Sequence, residues 1–199
     1  MAPTGVAGAK KSARRRGETL IFIDESGFSQ RPSVVKSWAP KGQTPVVTLP
    51  FNWKRLSAIG ALATKPSGRT VRSFLRVQEG TVRYPDVIVF LHSLHRHVRG
   101  RILVLWDRLR QHRAQATQQF IAEHRAWLRA AYLPAYAPEL NPVEPMWHFL
   151  RAKDLSNYCS DHLHDLRPRL ARRLRRLRRY HASGRGFLKE SGLFPALRH

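Results

Sequence analysis

The chain has 199 residues, enough for one domain with a proper core, and it carries 36 Lys+Arg against 13 Asp+Glu, a formal charge of +23. A hydrophobic fraction of 42% with five Trp excludes a disordered chain, and the single cysteine, Cys159, excludes an internal disulfide and any multi-cysteine zinc site. No apolar run approaches the roughly 20 residues needed to span a bilayer, and residues 1–17 lack the apolar centre of a signal peptide.

Arginine supplies 28 of the 36 basic residues. Guanidinium forks match phosphate oxygens, so this excess, with a pI near 11.6, points to nucleic acid as partner. The expected setting is the cytoplasm, in association with the nucleoid in a prokaryote, with no membrane contact.

Residues 1–18 read as a flexible basic arm in which Lys10, Lys11, Arg14, Arg15 and Arg16 are available to a DNA backbone. Leu20 to Ile23 are apolar and partly β-branched, a buried strand that Gly27 is expected to end. Residues 34–49 read as a hairpin, with Pro40 and Gly42 at its turn and Val46 and Val47 on the return. Residues 55–63 and 69–78 read as two further strands.

The pattern then changes. Val87, Phe90, Leu91, Leu94 and Val98 have helical spacing within 85–99, and residues 102–106 (ILVLW) form a buried strand ending at Asp107. Helical spacing returns over 115–130, with Phe120, Ile121, Trp127 and Leu128, before a short last strand at 131–136 and a helix from about 142 to 155. In residues 165–180, Leu166, Leu170, Leu174 and Leu177 form one apolar stripe and eight arginines fill other positions. The stripe suits packing on a sheet or a second copy of the chain. Arg172, Arg173, Arg175, Arg176 and Arg179 suit a track of phosphates. Antiparallel strands followed by alternating helices and strands imply an α/β fold with a mixed sheet over 19–160, and an Arg-rich helix and tail over 161–199.

Three acids stand in positions suited to chemistry. Asp24 and Asp107 end apolar runs, and Glu144 opens a helix. Phosphoryl transfer on nucleic acid requires a nucleophile made from water or a 3′-hydroxyl, with charge stabilised on the attacking and leaving oxygens. Two hard cations held by carboxylates do both, and a site without Cys or His ligands suits Mg²⁺ or Mn²⁺. Each acid also has a plainer reading. Asp24 and Asp107 suit strand-end turns, and Glu144 falls in a capping arrangement with Asn141 and Pro142. Glu25 is the nearest competitor to Asp24, but strand alternation points it the other way. Arg108 and His112 lie close to Asp107 and are candidates for phosphate contact, although a histidine there also serves packing.

Together, IFIDESGF, SWAPKGQTPVV, ILVLWDRLRQH and LPAYAPELNPVEPMW resemble the catalytic domain of DDE transposases, in the insertion-sequence branch related to the mariner superfamily. The match runs from about residue 19 to 165, and Tyr136, Pro138, Leu140, Asn141, Pro142, Glu144 and Trp147 carry its most specific part. The resemblance implies an RNase H-like fold, with Asp24, Asp107 and Glu144 as the metal-binding and catalytic triad for two Mg²⁺ or Mn²⁺ ions. It implies cleavage at transposon ends by water, then attack of the freed 3′-hydroxyl on target DNA, without a covalent enzyme intermediate. Joining two ends implies a homodimer. Full-length relatives carry helix-turn-helix domains before the core, whereas only about 18 residues precede the first strand here. A separate upstream helix-turn-helix polypeptide is one expected arrangement. A catalytically inactive or truncated DNA-binding remnant is the other reading. Where relatives more often have Asn after the second aspartate, this chain has Arg108.

Overall fold

A computed structural model of the chain describes residues 5–29, 38–43, 46, 55–154, 163–179 and 181–194. Five strands form one mixed sheet in the order β3-β2-β1-β4-β5. The strands are β1 (Thr19–Ser29), β2 (Arg55–Thr64), β3 (Val71–Glu79), β4 (Ile102–Trp106) and β5 (Leu128–Tyr132). β1 pairs antiparallel with β2, and β2 with β3; on the other side, β1 runs parallel to β4, and β4 to β5. This is the α/β arrangement with a mixed sheet that the order of apolar patterns implied.

The sheet is buried on both faces, which is why its central strands read as continuous apolar runs. Alternation along β1 divides them. Leu20 and Phe22 join a core with Leu103 and Leu105 of β4, under the helices α1 (Gly5–Arg16), α5 (Val143–Asp154), α6 (Leu166–Arg179) and α7 (His181–Glu190). Ile21 and Ile23 join Val104 and Trp106 on the opposite face, under α2 (Tyr84–His97) and α4 (Gln115–Glu123). A four-residue helix, α3 (Arg110–Arg113), connects β4 to α4.

Four expectations are corrected. First, the basic arm is a helix. Val6, Ala9 and Ala13 are buried at steps of three and four along α1, where their small side chains let the helix lie close to the sheet. Gly17, at φ 66°, ends it. Glu18 then sits 1% exposed, with both carboxylate oxygens accepting from Arg129 of β5 at 3.0 and 3.1 Å. Second, Gly27 does not end β1, because pairing with Ser57 carries the strand through it to Ser29. Third, the helical pattern over 115–130 breaks at His124, whose carbonyl accepts from both Trp127 and Leu128 in a tight turn. The Trp127 carbonyl then accepts from Ile102 at 2.8 Å, so the last strand begins at Leu128, three residues early. Fourth, α7 follows α6, although the sequence offered no separate signal for it.

The hairpin expected over 34–49 lies mostly outside the described residues. Within it, Gln43 N–H donates to the Pro40 carbonyl at 3.0 Å, and Gly42 has φ 83°, a tight turn of the kind these residues favour. On α6, Leu166 and Leu170 are buried in the core, so the first half of the stripe packs onto the domain itself; the side chains of Leu174 and Leu177 lie outside the described residues. Among the described residues, no helix is long and apolar enough to cross a membrane.

Substituting Glu18→Ala removes the carboxylate partner of Arg129 on β5 and leaves that guanidinium with the Ser12 hydroxyl of α1, at 3.3 Å. A fully buried pair broken this way costs about 3–5 kcal/mol; because Arg129 is 25% exposed, the expected loss is about 2 kcal/mol, read as a lower denaturant midpoint. A midpoint within error of wild type removes this ion pair from the forces that stabilise the domain.

Candidate active site

The β1–β4 ladder pairs Thr19 with Ile102 and Phe22 with Leu105, an offset of 83 residues. Continued two residues past the ladder, the same offset places Asp24 level with Asp107 (24 + 83 = 107). Both follow residues whose alternate neighbours, Leu20 and Phe22 or Leu103 and Leu105, face the α5 side. The two aspartates therefore share one face at the same end of adjacent parallel strands.

Helix α5 is laced along the far half of β1. Asn141 Nδ2 donates to the Ile23 carbonyl at 3.3 Å, while its Oδ1 accepts from Val143 N–H at 3.2 Å and starts the helix. Trp147 Nε1 donates to Asp24 Oδ2 at 2.7 Å, and Arg151 donates to the Ser26 hydroxyl. Glu144 is the second residue of α5, at the positive end of the helix dipole. The sheet makes room for this helix at one position. Gly60 pairs with Asp24 across β1 and β2, and a Cβ there would lie 2.5 Å from the Trp147 ring. Trp147 itself packs edge-on against Phe28, with ring centroids 5.9 Å apart.

Asp24, Asp107 and Glu144 line one cleft of about 630 Å³ with Arg108, Asn141 and the 133–138 turn. Among the described residues, Asp24 Oδ1, Asp107 Oδ2 and the Glu144 carboxylate have no hydrogen-bond partner. Burial pushes the Asp24 carboxyl up to about 8; the Glu144 charge adds to this, the Trp147 N–H opposes it, and Glu25 and Asp107 add further. This is an excess of negative charge with oxygen donors to spare, chemistry that fits a hard divalent cation. The three carboxylates do not close on a common point. Among the described residues, no three His, Cys, Asp or Glu side chains enclose an ion by themselves.

Asp107 is held differently. Its Oδ1 accepts from His112 Nδ1 at 2.8 Å and from Leu109 N–H at 3.0 Å. Burial works to raise its pKa, but these two donors and the nearby His112 charge outweigh it, and the carboxyl lies below its ordinary value. His112 is wholly buried, stacked on Trp106 with centroids 4.3 Å apart, and its Nε2 meets Glu25 Oε1 at 2.9 Å. Both nitrogens face carboxylates, so both donate. Burial alone would lower its pKa; Asp107 and Glu25 raise it to about 9.

The sequence profile of the DDE superfamily endonucleases matches residues 19–167. The chain belongs to the DDE superfamily endonuclease family. Its fold is similar to that of the Mos1 mariner paired-end complex with Mn (TM-score 0.62, 18% identity), covering 94% of this chain and 56% of that one. It is similar to the Mos1 strand transfer complex (TM-score 0.59, 17% identity, 94% and 55%). It is also similar to the catalytic domain of Mos1 mariner transposase (TM-score 0.55, 13% identity, 94% and 83%). The chain thus spans little more than half of the Mos1 chains in those complexes. The shared architecture is the RNase H-like fold. No curated protein matches the chain.

In this DDE endonuclease domain the other expected contact residues divide. Arg108 is exposed at the cleft, its guanidinium 5.2 Å from the Tyr132 ring centroid. Arg172, Arg175 and Arg176 are exposed on α6, Arg173 lies over Phe149 at 4.4 Å, and the Arg179 side chain is outside the described residues. His112 corrects the expectation of a phosphate contact, because it is buried with both nitrogens engaged inside the domain. Strand alternation correctly turned Glu25 from Asp24 but gave no sign of its histidine partner. Gly60 and the Trp147–Asp24 bond were not read from the sequence; a glycine inside an otherwise apolar strand was the available signal for the first.

Gly60→Ala forces its Cβ into Trp147 and is expected to destabilise the domain by about 1–3 kcal/mol, checked by denaturant unfolding. In chelating buffer, folded Asp24 keeps its proton to about pH 8 while the unfolded carboxyl loses it near 3.8, so its contribution to stability falls as pH rises through that window. The stability contributed by His112 is present below 6.5 and lost as pH rises through about 9. Subtracting the Asp24→Asn unfolding profile from that of wild type should leave a stability difference that declines as pH rises from about 4 to about 8. A flat difference contradicts the burial of this carboxyl.

Proposed function

We propose that the chain is a transposase catalytic domain, a metal-dependent DNA endonuclease and strand transferase acting at transposon ends. One observation carries this reading: Asp24, Asp107 and Glu144, from three distant segments of a DDE endonuclease domain, line a single cleft and keep carboxylate oxygens that no described residue occupies. We assign these three residues as catalytic and as the ligands of Mg²⁺ or Mn²⁺. Two bound cations would supply activation of the attacking oxygen and neutralisation of charge at the phosphate.

The remaining work belongs to the chain. Trp147 fixes one oxygen of Asp24 and leaves the other to the cleft. Leu109 N–H and His112 do the same for Asp107. Asn141 fixes the start of α5, and with it Glu144, against β1. Arg108, exposed beside Asp107, offers a guanidinium to a DNA phosphate. The exposed arginines of α6 extend the cationic surface for the backbone. The finer assignment is that transposon-end and target DNA are both substrates, that a homodimer pairs the two ends, and that an upstream helix-turn-helix polypeptide supplies recognition of the end sequences.

The test is nicking of DNA that carries the element's ends, with Mg²⁺ or Mn²⁺ and with chelator. Cleavage is expected only with metal, and Asp24→Asn, Asp107→Asn and Glu144→Gln are each expected to reduce it on the order of a thousandfold. DNA affinity in chelator should survive all three. Undiminished nicking by Asp107→Asn would defeat the assignment of that residue, and joined products in a strand-transfer assay separate a transposase from a simple nuclease.

A further inference from the structure

The most unusual polar contact in the molecule lies behind the cleft. His112 has no exposed surface, yet both of its ring nitrogens are spent on acids: Nδ1 on Asp107 at 2.8 Å and Nε2 on Glu25 at 2.9 Å. Its ring lies nearly parallel to Trp106, at an interplanar angle of 8°, so it cannot turn without disturbing the core of the α2 face. Glu25 comes from β1 one residue after Asp24, but on the opposite face of the sheet. The chain of contacts therefore runs from one side of the sheet, past the ends of two strands, to the other.

A histidine that served packing alone would need one acceptor. This one binds two carboxylates, and Glu25 Oε2 is left buried without a partner among the described residues, a desolvation cost that stability alone does not explain. Asp107 is the member of the candidate triad that this ring holds. With Oδ1 occupied by His112 and Leu109 N–H, Oδ2 is the oxygen left to the cleft.

We infer that His112 and Glu25 are positioning residues for Asp107, a carboxylate–imidazole–carboxylate chain that fixes which Asp107 oxygen is offered to a divalent cation. This rests on the metal-ligand reading of Asp107. Groups that orient a metal ligand from behind commonly alter metal affinity about 10–100-fold when removed. The two residues touch neither substrate nor cation; they act through Asp107 alone.

The experiment is Mn²⁺ binding to the whole chain without DNA, followed by the electron paramagnetic resonance signal of free Mn²⁺. His112→Gln keeps a donor but reaches only one of the two acids. It is expected to weaken Mn²⁺ binding about tenfold, with DNA affinity in chelator unchanged. Glu25→Ala is expected to weaken Mn²⁺ binding severalfold, and its effect should vanish in the His112→Gln background if the influence passes through the imidazole. A His112→Gln protein that melts earlier but binds Mn²⁺ as wild type does overturns the inference and leaves the histidine a packing residue. If His112→Gln does not fold, Glu25→Ala decides the matter: wild-type affinity there overturns it. Failure of the functional reading looks different, because then wild type binds no Mn²⁺, or Asp24→Asn binds it undiminished.

Discussion

The parallel pairing of β1 with β4 is the constraint on which the site depends. A slip of one residue would turn Asp107 to the opposite face from Asp24. The register is held by burial on both sides: Leu20, Phe22, Leu103 and Leu105 against one set of helices, Ile21, Ile23, Val104 and Trp106 against the other. A slip would have to exchange the two apolar sets. The hydrophobic cost of misplacing that core therefore also protects the alignment of two acids that contribute nothing to it. Gly60 completes the arrangement, because only a residue without a Cβ lets Trp147 reach across to Asp24.

Two aspartates at the same level of neighbouring strands are given opposite electrostatic settings. Asp24 is buried among like charges with one indole donor, and its carboxyl is pushed up to about 8. Asp107 has a backbone donor and an imidazole, and its carboxyl is pulled down. Among the described residues, the buried partner of Asp107 is an imidazole, while the Arg108 guanidinium lies exposed at the cleft.

Much of this was legible in the sequence because periodicity and turn chemistry act locally. ILVLW admitted only a buried strand, and Asn141-Pro142 followed by Glu144 marked a helix start at the right place. The α/β class followed from the order of patterns. What could not be read were choices settled at long range. The basic segment before β1 looked unstructured because its buried positions, Val6, Ala9 and Ala13, are too small to raise local hydrophobicity; only the sheet beneath makes them a packing face. Trp127 and Leu128 fit a helix equally well until pairing with β4 drew them into strand geometry. The three acids that line the cleft drew notice in the sequence because each ends or begins an element. The contacts of Trp147 and Glu25 did not, because their partners lie 123 and 87 residues away in the chain.

The Arg-rich helix α6 has a physical consequence of its own. Arg169, Arg172, Arg173, Arg175 and Arg176 recur at spacings of three and four, with no acid in its first turn, so each neighbouring pair opposes helix formation by a few tenths of a kcal/mol. Leu166 and Leu170, anchored in the core, hold the helix against that repulsion. Its helicity is thereby coupled to the ionic atmosphere: counterions that condense along it relieve the strain, and a polyanion laid there would release them to solution while taking over the same screening.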